Sequence, residues 1–317
     1  MAGIPGPGPD DSTSQLIHRY GVNGFILFKR NCHSPEQIRG LTNWLKEECA
    51  QAGLLPPLIA IDQEGGSVAR LGPPFTTFAA ARYLAESTEP EAALTEYATT
   101  CARELNEVGI NLNFAPVLDI SPNGKGLFME ERSLGGDPEI VARLGSIVIK
   151  KMQEQGLAAC GKHFQGLGRA VPDPHITLPT IAASAGELEE DLIPFAEAVR
   201  TGVAMIMTSH TLYPALDPDN QATFSPRVLT DILRVRLGFA GIIVTDDLEM
   251  GAVENDCDTA EATTAALLAG ADLLLVCHDH AKVTRSIKAI AEGRTEDARL
   301  SRRVGESLVR LENRKKI

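Results

Sequence analysis

The chain has 317 residues, 44% of them hydrophobic and 23% charged, which are ordinary proportions for a compact globular fold and leave no room for a long disordered tail. A formal net charge of −12 gives a nucleic acid or an anionic membrane no electrostatic hold, so neither is expected as a partner. No apolar run is long enough to span a bilayer and no leader pattern opens the chain; the six cysteines form no C-x-x-C pair, so a reduced, cytoplasmic protein is expected.

In chain order, the opening "MAGI" reads as the tail of a strand whose beginning precedes Met1. Seven full apolar runs follow: "GFILF", "PLIAI", "NLNFAPVL", "LAACG", "AMIMT", "GIIVT" and "ADLLLV". Amphipathic stretches separate them. "SPEQIRGLTNWLKEECAQAG" starts with Ser34 as N-cap and Pro35 at the first helical position, and "AEATTAALLAG" is a later example. Strand and helix alternating eight times predict an α/β fold, a (β/α)8 barrel of the TIM type, as one catalytic domain over residues 1–317. An open doubly wound sheet is the alternative, but no G-x-G-x-x-G follows a first strand. The closing "NRKKI" reads as a solvated helix tail.

Polarity gathers where the runs end, at Lys29-Arg30-Asn31, Asp62-Gln63-Glu64, Asp119, Lys162-His163, Ser209-His210, Asp246-Asp247 and Cys277-His278-Asp279. Any one of these could be a wet loop after a buried strand. Seven in succession point to one functional face, because the C-terminal strand ends of a parallel barrel converge there.

The segments "IDQEGGSVARL", "NFAPVLDI", "ERSLGGDP", "GKHFQGLGRAVPDPH", "SHTLYPALD" and "GIIVTDDLEMGA" run in order from about Gly24 to Cys277. Together they resemble the β-N-acetylglucosaminidases of glycoside hydrolase family 3. The resemblance implies a (β/α)8 barrel and makes Asp246 the nucleophile, a carboxylate whose sugar ester forms and hydrolyses in two easier steps. Asp247 reads as a cap for the next helix. Glu249 stands where the family often has Ser, and is expected to add negative charge near the nucleophile.

The resemblance also assigns a loop at about 163–179 to acid/base work through an Asp-x-His dyad, here Asp173 and His175. The imidazole would protonate the leaving oxygen and then deprotonate water, while the carboxylate orients the ring. Gln165 and Pro174 depart from the family pattern of Pro and Ser or Thr. Pro174 removes an amide donor and biases Asp173 toward extended backbone, which bears on how the loop moves. Asp62, Arg70, Arg132, Lys162 and His163 match sugar-binding positions. Gly65 and Gly66 suit a tight turn, and Glu64 reads as structural. His210, His278 and His280 make no defensible ligand set, so neither a metal nor a cofactor is expected.

The activity implied is that of a retaining exo-β-N-acetylglucosaminidase acting on N-acetylglucosaminides, muropeptide-type peptidoglycan fragments among them. Imidazole in place of a second carboxylate would also admit phosphate as an acceptor. A β-glucosidase or β-xylosidase of the same family, a Schiff-base aldolase using Lys162, and a silent sugar-binding protein are the competing readings.

Overall fold

Eight short strands pair in parallel: β1 (Ala2–Gly3), β2 (Gly24–Leu27), β3 (Leu58–Ile61), β4 (Leu112–Asn113), β5 (Ala158–Phe164), β6 (Met205–Thr208), β7 (Ile242–Asp247) and β8 (Leu273–Leu275). The computed structural model describes residues 1–170 and 177–313. The sheet closes where Ala2 bridges Val276 in parallel, with Gly3 N donating to Val276 O at 3.3 Å and Val276 N to Met1 O at 3.1 Å. The expected (β/α)8 barrel is therefore the fold. No helix among the described residues is long and apolar enough to cross a membrane.

The helices begin where the sequence offers a cap. Ser34 accepts from Gln37 N to start the helix Pro35–Gln51, as its Ser-Pro opening predicts. Asp137 does the same for Pro138–Glu154, and Ser184 and Glu187 make a reciprocal capping box for Ala185–Thr201. The run "NLNFAPVL" yields only two strand residues. Pro116 lacks an N–H for the ladder, and the chain resumes pairing as an isolated bridge between Val117 and Lys162. Conversely, β5 and β7 extend beyond their apolar runs, so Lys162, His163, Asp246 and Asp247 lie on strands and not in loops.

Period-two alternation divides the strands between two layers. Phe25, Leu27, Ile59, Ile61, Ile206 and Ile243 face the helices, where they pack with residues such as Ile38, Leu41 and Leu45. Ile26, Leu58, Ala60, Leu112, Cys160, Met205, Met207, Ile242 and Val244 fill the barrel interior. Continuing the inward parity by one step gives Phe28, Asp62, Phe114, Lys162 and Asp246, all of which line a single cavity at the C-terminal end.

Closure demands glycine at position 3. A Cβ there would lie 1.9 Å from Cys277 O and 3.0 Å from an Arg30 guanidinium nitrogen that itself donates to Cys277 O at 2.8 Å. Arg30 Nε also donates to Ile4 O at 2.9 Å, so one side chain ties the first, second and eighth strand ends together. Gly3→Ala is expected to destabilise the protein by about 1–3 kcal/mol or more, through overpacking against backbone. Gly6→Ala, with nothing within 4 Å of the added carbon, should stay within about 0.5 kcal/mol of wild type. Urea unfolding of the two variants checks the pair; equal stabilities would mean that the seam adjusts freely.

Candidate active site

The cavity at the C-terminal mouth has a volume of about 380 Å³ and is lined by Asp62, Arg70, Arg132, Lys162, His163 and Asp246 among others. Six residues singled out from sequence thus meet in one place. Asp173 and His175 lie outside the described residues.

A chain of paired charges, buried at Lys162 and Glu64 and partly exposed at Asp62, Arg70 and Arg132, forms one wall. Lys162 Nζ lies 2.7 Å from Asp62 Oδ1 and 2.6 Å from Glu64 Oε1. Arg132 grips Glu64 with both prongs, Nη2 to Oε1 at 2.7 Å and Nε to Oε2 at 2.9 Å, the bidentate geometry for which guanidinium is suited. Arg70 Nη2 reaches Asp62 Oδ2 at 3.2 Å. Burial would raise the Glu64 pKa, yet the Lys162 ammonium and the Arg132 guanidinium hold it far below the usual carboxylate range. Asp62 is likewise lowered, with Lys162 and Arg70 outweighing burial. Burial would lower Lys162, and Asp62 and Glu64 more than offset it, so its pKa is raised. A raised, doubly paired ammonium is the opposite of the free amine that a Schiff-base aldolase requires.

Local backbone explains the placement. Gln63 Oε1 accepts from Arg70 N and Leu71 N, and its own N donates to Asn113 Oδ1 at 3.0 Å. Those bonds fold residues 63–69 into a small antiparallel hairpin that returns Arg70 toward Asp62. The turn needs φ of +100° at Gly65 and +58° at Gly66, and a Cβ on either would lie 2.6 Å from the backbone or side chain of Ala79 or Ala80. The tight turn expected at these glycines is present.

Asp119 has the function that sequence reading left unassigned. Its Oδ2 lies 2.7 Å from His163 Nδ1, and its Oδ1 accepts from the backbone N of His163 and of Leu167. One buried carboxylate therefore orients the imidazole and fixes the start of the loop after β5. Its sequence signals were its position at the end of the run "NLNFAPVL" and its place in the segment "NFAPVLDI". Farther along that loop, Arg169 Nη1 pairs with Asp191 Oδ2 at 2.7 Å, from the helix Ala185–Thr201. Gln165 is buried and its Oε1 has no hydrogen-bond partner among the described residues.

The β7 end is arranged differently. Asp246 Oδ1 accepts from Asp247 N at 2.8 Å, and Asp247 Oδ1 accepts from Glu249 N at 3.1 Å. The expected helix cap at Asp247 is thereby corrected: its side chain closes the turn at Glu249, and the next helix, Gly251–Glu254, starts from Met250 with no side-chain cap. Glu249 corrects an expectation. Its carboxylate turns away to the next loop, accepting from His278 N and Asp279 N at 2.5 and 3.2 Å and pairing with Lys282, so its charge is compensated there. His210 is a strut: Nε2 donates to Asp247 O at 3.0 Å and Nδ1 meets Thr223 Oγ1 at 2.9 Å, while burial lowers its pKa. Donation to a carbonyl assigns the proton of a neutral ring to Nε2. His280 contacts Gly3 O and Ser12 Oγ, and among the described residues no cluster of His, Cys, Asp and Glu could hold a metal ion.

The model of the glycosyl hydrolase family 3 N-terminal domain matches residues 5–310. A Pseudomonas aeruginosa protein named beta-hexosaminidase is 37% identical over 304 residues, covering 95% of this chain and 89% of its own. Among solved structures, a family 3 beta-N-acetylglucosaminidase from Paenibacillus sp. superposes with a TM-score of 0.91 at 38% identity, covering 99% of this chain; the chain spans 61% of that protein's length. A beta-N-acetylhexosaminidase from Beutenbergia cavernae superposes with a TM-score of 0.92 at 29% identity, over 100% of this chain and 96% of that one.

Glu64→Gln tests the electrostatic wall. At neutral pH it leaves two buried cations with one fewer anion, a loss of about 3–5 kcal/mol. A carboxyl whose folded pKa is depressed stabilises the fold above its unfolded value of about 4.3, and that contribution disappears as pH falls through the folded value. Wild type should therefore lose stability below about pH 4.3 more steeply than Glu64→Gln, with Asp62 supplying the slope that remains. Urea melts between neutral and acid pH measure both quantities, and parallel curves would rule out the ionised pairing.

Proposed function

The chain belongs to glycosyl hydrolase family 3, and from that premise we propose that it is a retaining exo-β-N-acetylglucosaminidase working through a glycosyl-Asp246 intermediate. The observation that supports the reading is the convergence of a strand-end carboxylate with a set of mutually paired charges in one cavity of about 380 Å³. That volume lies within the usual range for small-molecule pockets.

Asp62 accepts hydrogen bonds from hydroxyls and His163, whose Nδ1 is turned to Asp119, presents Nε2 to the terminal sugar, while Lys162, Arg70 and Arg132 offer it donors. Their mutual pairing fixes each donor before the sugar arrives, so little reorganisation is left for the reaction itself. Asp246 attacks the anomeric carbon; the glycosidic bond breaks, and its electron pair leaves on the oxygen of the departing group. His175 supplies the proton to that oxygen, with Asp173 orienting the ring. The same imidazole then takes a proton from water, which attacks the anomeric carbon and releases Asp246 as a carboxylate. Peptidoglycan fragments in which N-acetylglucosamine is joined to 1,6-anhydro-N-acetylmuramic acid are the proposed natural substrates.

A chromogenic N-acetylglucosaminide tests the assignments. Asp246→Ala should fall to background, and His175→Ala should lose about 10²–10⁴-fold, the usual worth of a positioned acid/base group. With an activated dinitrophenyl leaving group, His175→Ala should still form the intermediate and then hydrolyse it slowly, so mass spectrometry finds one N-acetylglucosaminyl unit on the peptide carrying Asp246. Equal activity in all three proteins would refute the assignments. Preference for a p-nitrophenyl glucoside or xyloside over the N-acetylglucosaminide would transfer the chain to the other specificity of the family.

A further inference from the structure

The chain that leaves β5 is held at its root by contacts to its backbone. Asp119 Oδ1 accepts from the N of His163 and of Leu167, Ser209 N donates to Phe164 O at 2.8 Å, and the Tyr213 hydroxyl donates to Gly166 O at 2.9 Å. A Cβ at Gly168 would lie 2.0 Å from Ile120 O, so the root also runs directly against the segment after β4. The next tie is made by a side chain. A turn closed by Ala170 N donating to Leu167 O at 2.9 Å presents Arg169, whose Nη1 donates to Asp191 Oδ2 at 2.7 Å and to Glu187 O at 3.4 Å in the helix Ala185–Thr201. Farther on, Leu212 N donates to Pro179 O at 3.0 Å and Ile181 N to Leu212 O at 2.9 Å. Asp173 and His175 therefore fall, in sequence, between a fixed point at Arg169 and another at Pro179.

The helix end of this tie is buried. The Asp191 side chain is 4% exposed, and a Cβ at Gly166 would lie 3.1 Å from Asp191 Cβ, which sets the carboxyl group directly beneath the loop root. Burial pushes Asp191 up to about 7 against the pull of Arg169, and Asp119 from the segment after β4 and Glu190 and Glu187 from its own helix add to the rise. Tyr213, its own pKa raised by burial, faces it from the segment after β6 and stays neutral. The contact is thus a full ion pair only above about pH 7.

We propose that Arg169 and Asp191 are positioning residues whose contact tethers the acid/base arm to the helix Ala185–Thr201, so that they govern protonation of the departing oxygen and not attack by Asp246. Expulsion of a basic oxygen needs a proton delivered in place, whereas an oxygen already stable as an anion leaves without one. Loss of the tether is therefore felt in proportion to the basicity of the leaving group. The proposal rests on the assignment of His175 as the acid.

The test measures kcat/KM on phenyl and 2,4-dinitrophenyl β-N-acetylglucosaminides, which share an aryl ring and differ in leaving-group basicity. At an alkaline pH of about 8, Arg169→Ala and Asp191→Asn should each lose about tenfold on the phenyl glycoside and stay within about twofold of wild type on the dinitrophenyl one. Arg169→Lys, which keeps a cation, should recover part of the loss. At about pH 6 the wild-type tether is itself mostly uncharged, so the gap between wild type and Arg169→Ala on the phenyl glycoside should narrow to about twofold. Equal losses on the two substrates would overturn the tether by showing a role in the sugar site or the fold. Unchanged phenyl glycoside rates, or a gap that is the same at both pH values, would overturn it as well. His175→Ala without any dependence on the leaving group would overturn the acid assignment and the tether with it, and a wild type inactive on both compounds would overturn the glycosidase reading beneath them.

Discussion

The site depends on one buried carboxylate, Glu64, accepting from both Lys162 and Arg132. Taking such ions out of water costs several kcal/mol each, and only close, well-directed pairing offsets it. Asp62 extends the pairing to Arg70, so three cations are distributed over two carboxylates in continuous contact. Lys162 directs its ammonium between Asp62 and Glu64, which leaves one of its three N–H bonds for a ligand. Arg132 spends Nε and one terminal nitrogen on Glu64 and sets the other 3.4 Å from Met129 Sδ. A ligand therefore meets donors whose directions are already fixed.

That network requires a frame that does not yield. Lys162 and Asp246 are strand residues, and Asp62 follows directly on β3, so their positions follow from pleat and register and not from loop packing. The frame holds because the barrel closes, and closure rests on so close an approach of the first and last strands that only hydrogen fits at Gly3. A site residue at one strand end and a glycine at another are thus parts of a single constraint.

Much of this was legible in the sequence because period-two alternation is a local property. The runs "PLIAI" and "GIIVT" announce which parity faces inward, and the first polar residues of that parity, Asp62 and Asp246, are at the mouth. What stayed illegible depends on contacts across tens of residues. Asp119 looked like another wet strand end until folding set it 2.7 Å from His163, 44 positions away. Glu249 looked like excess charge beside Asp246, because no local pattern reveals that its partners lie in the loop after β8. Pro116 was visible, but its breaking of the fourth strand depended on which neighbouring carbonyls the register brought opposite. For the 173–175 dyad, the family pattern remains the source of the assignment.

The charges already present give a reason for imidazole in the proposed acid/base role. Asp62, Asp246 and Asp247 share the cavity lining, and the cations that balance this charge are held on the β3 to β5 side. A further carboxyl group facing Asp246 would gain a negative charge when it gave up its proton, next to carboxylates that oppose it, and would be slow to surrender that proton. Imidazole donates from a cation and becomes neutral, so the same neighbours favour its charged form before the transfer and are not opposed by a new anion after it. An enzyme with this arrangement of carboxylates gains from an acid that bears no charge after it has acted. The proposed Asp173–His175 pair would supply such a group without adding a carboxylate to the Asp62–Lys162–Glu64–Arg132 wall.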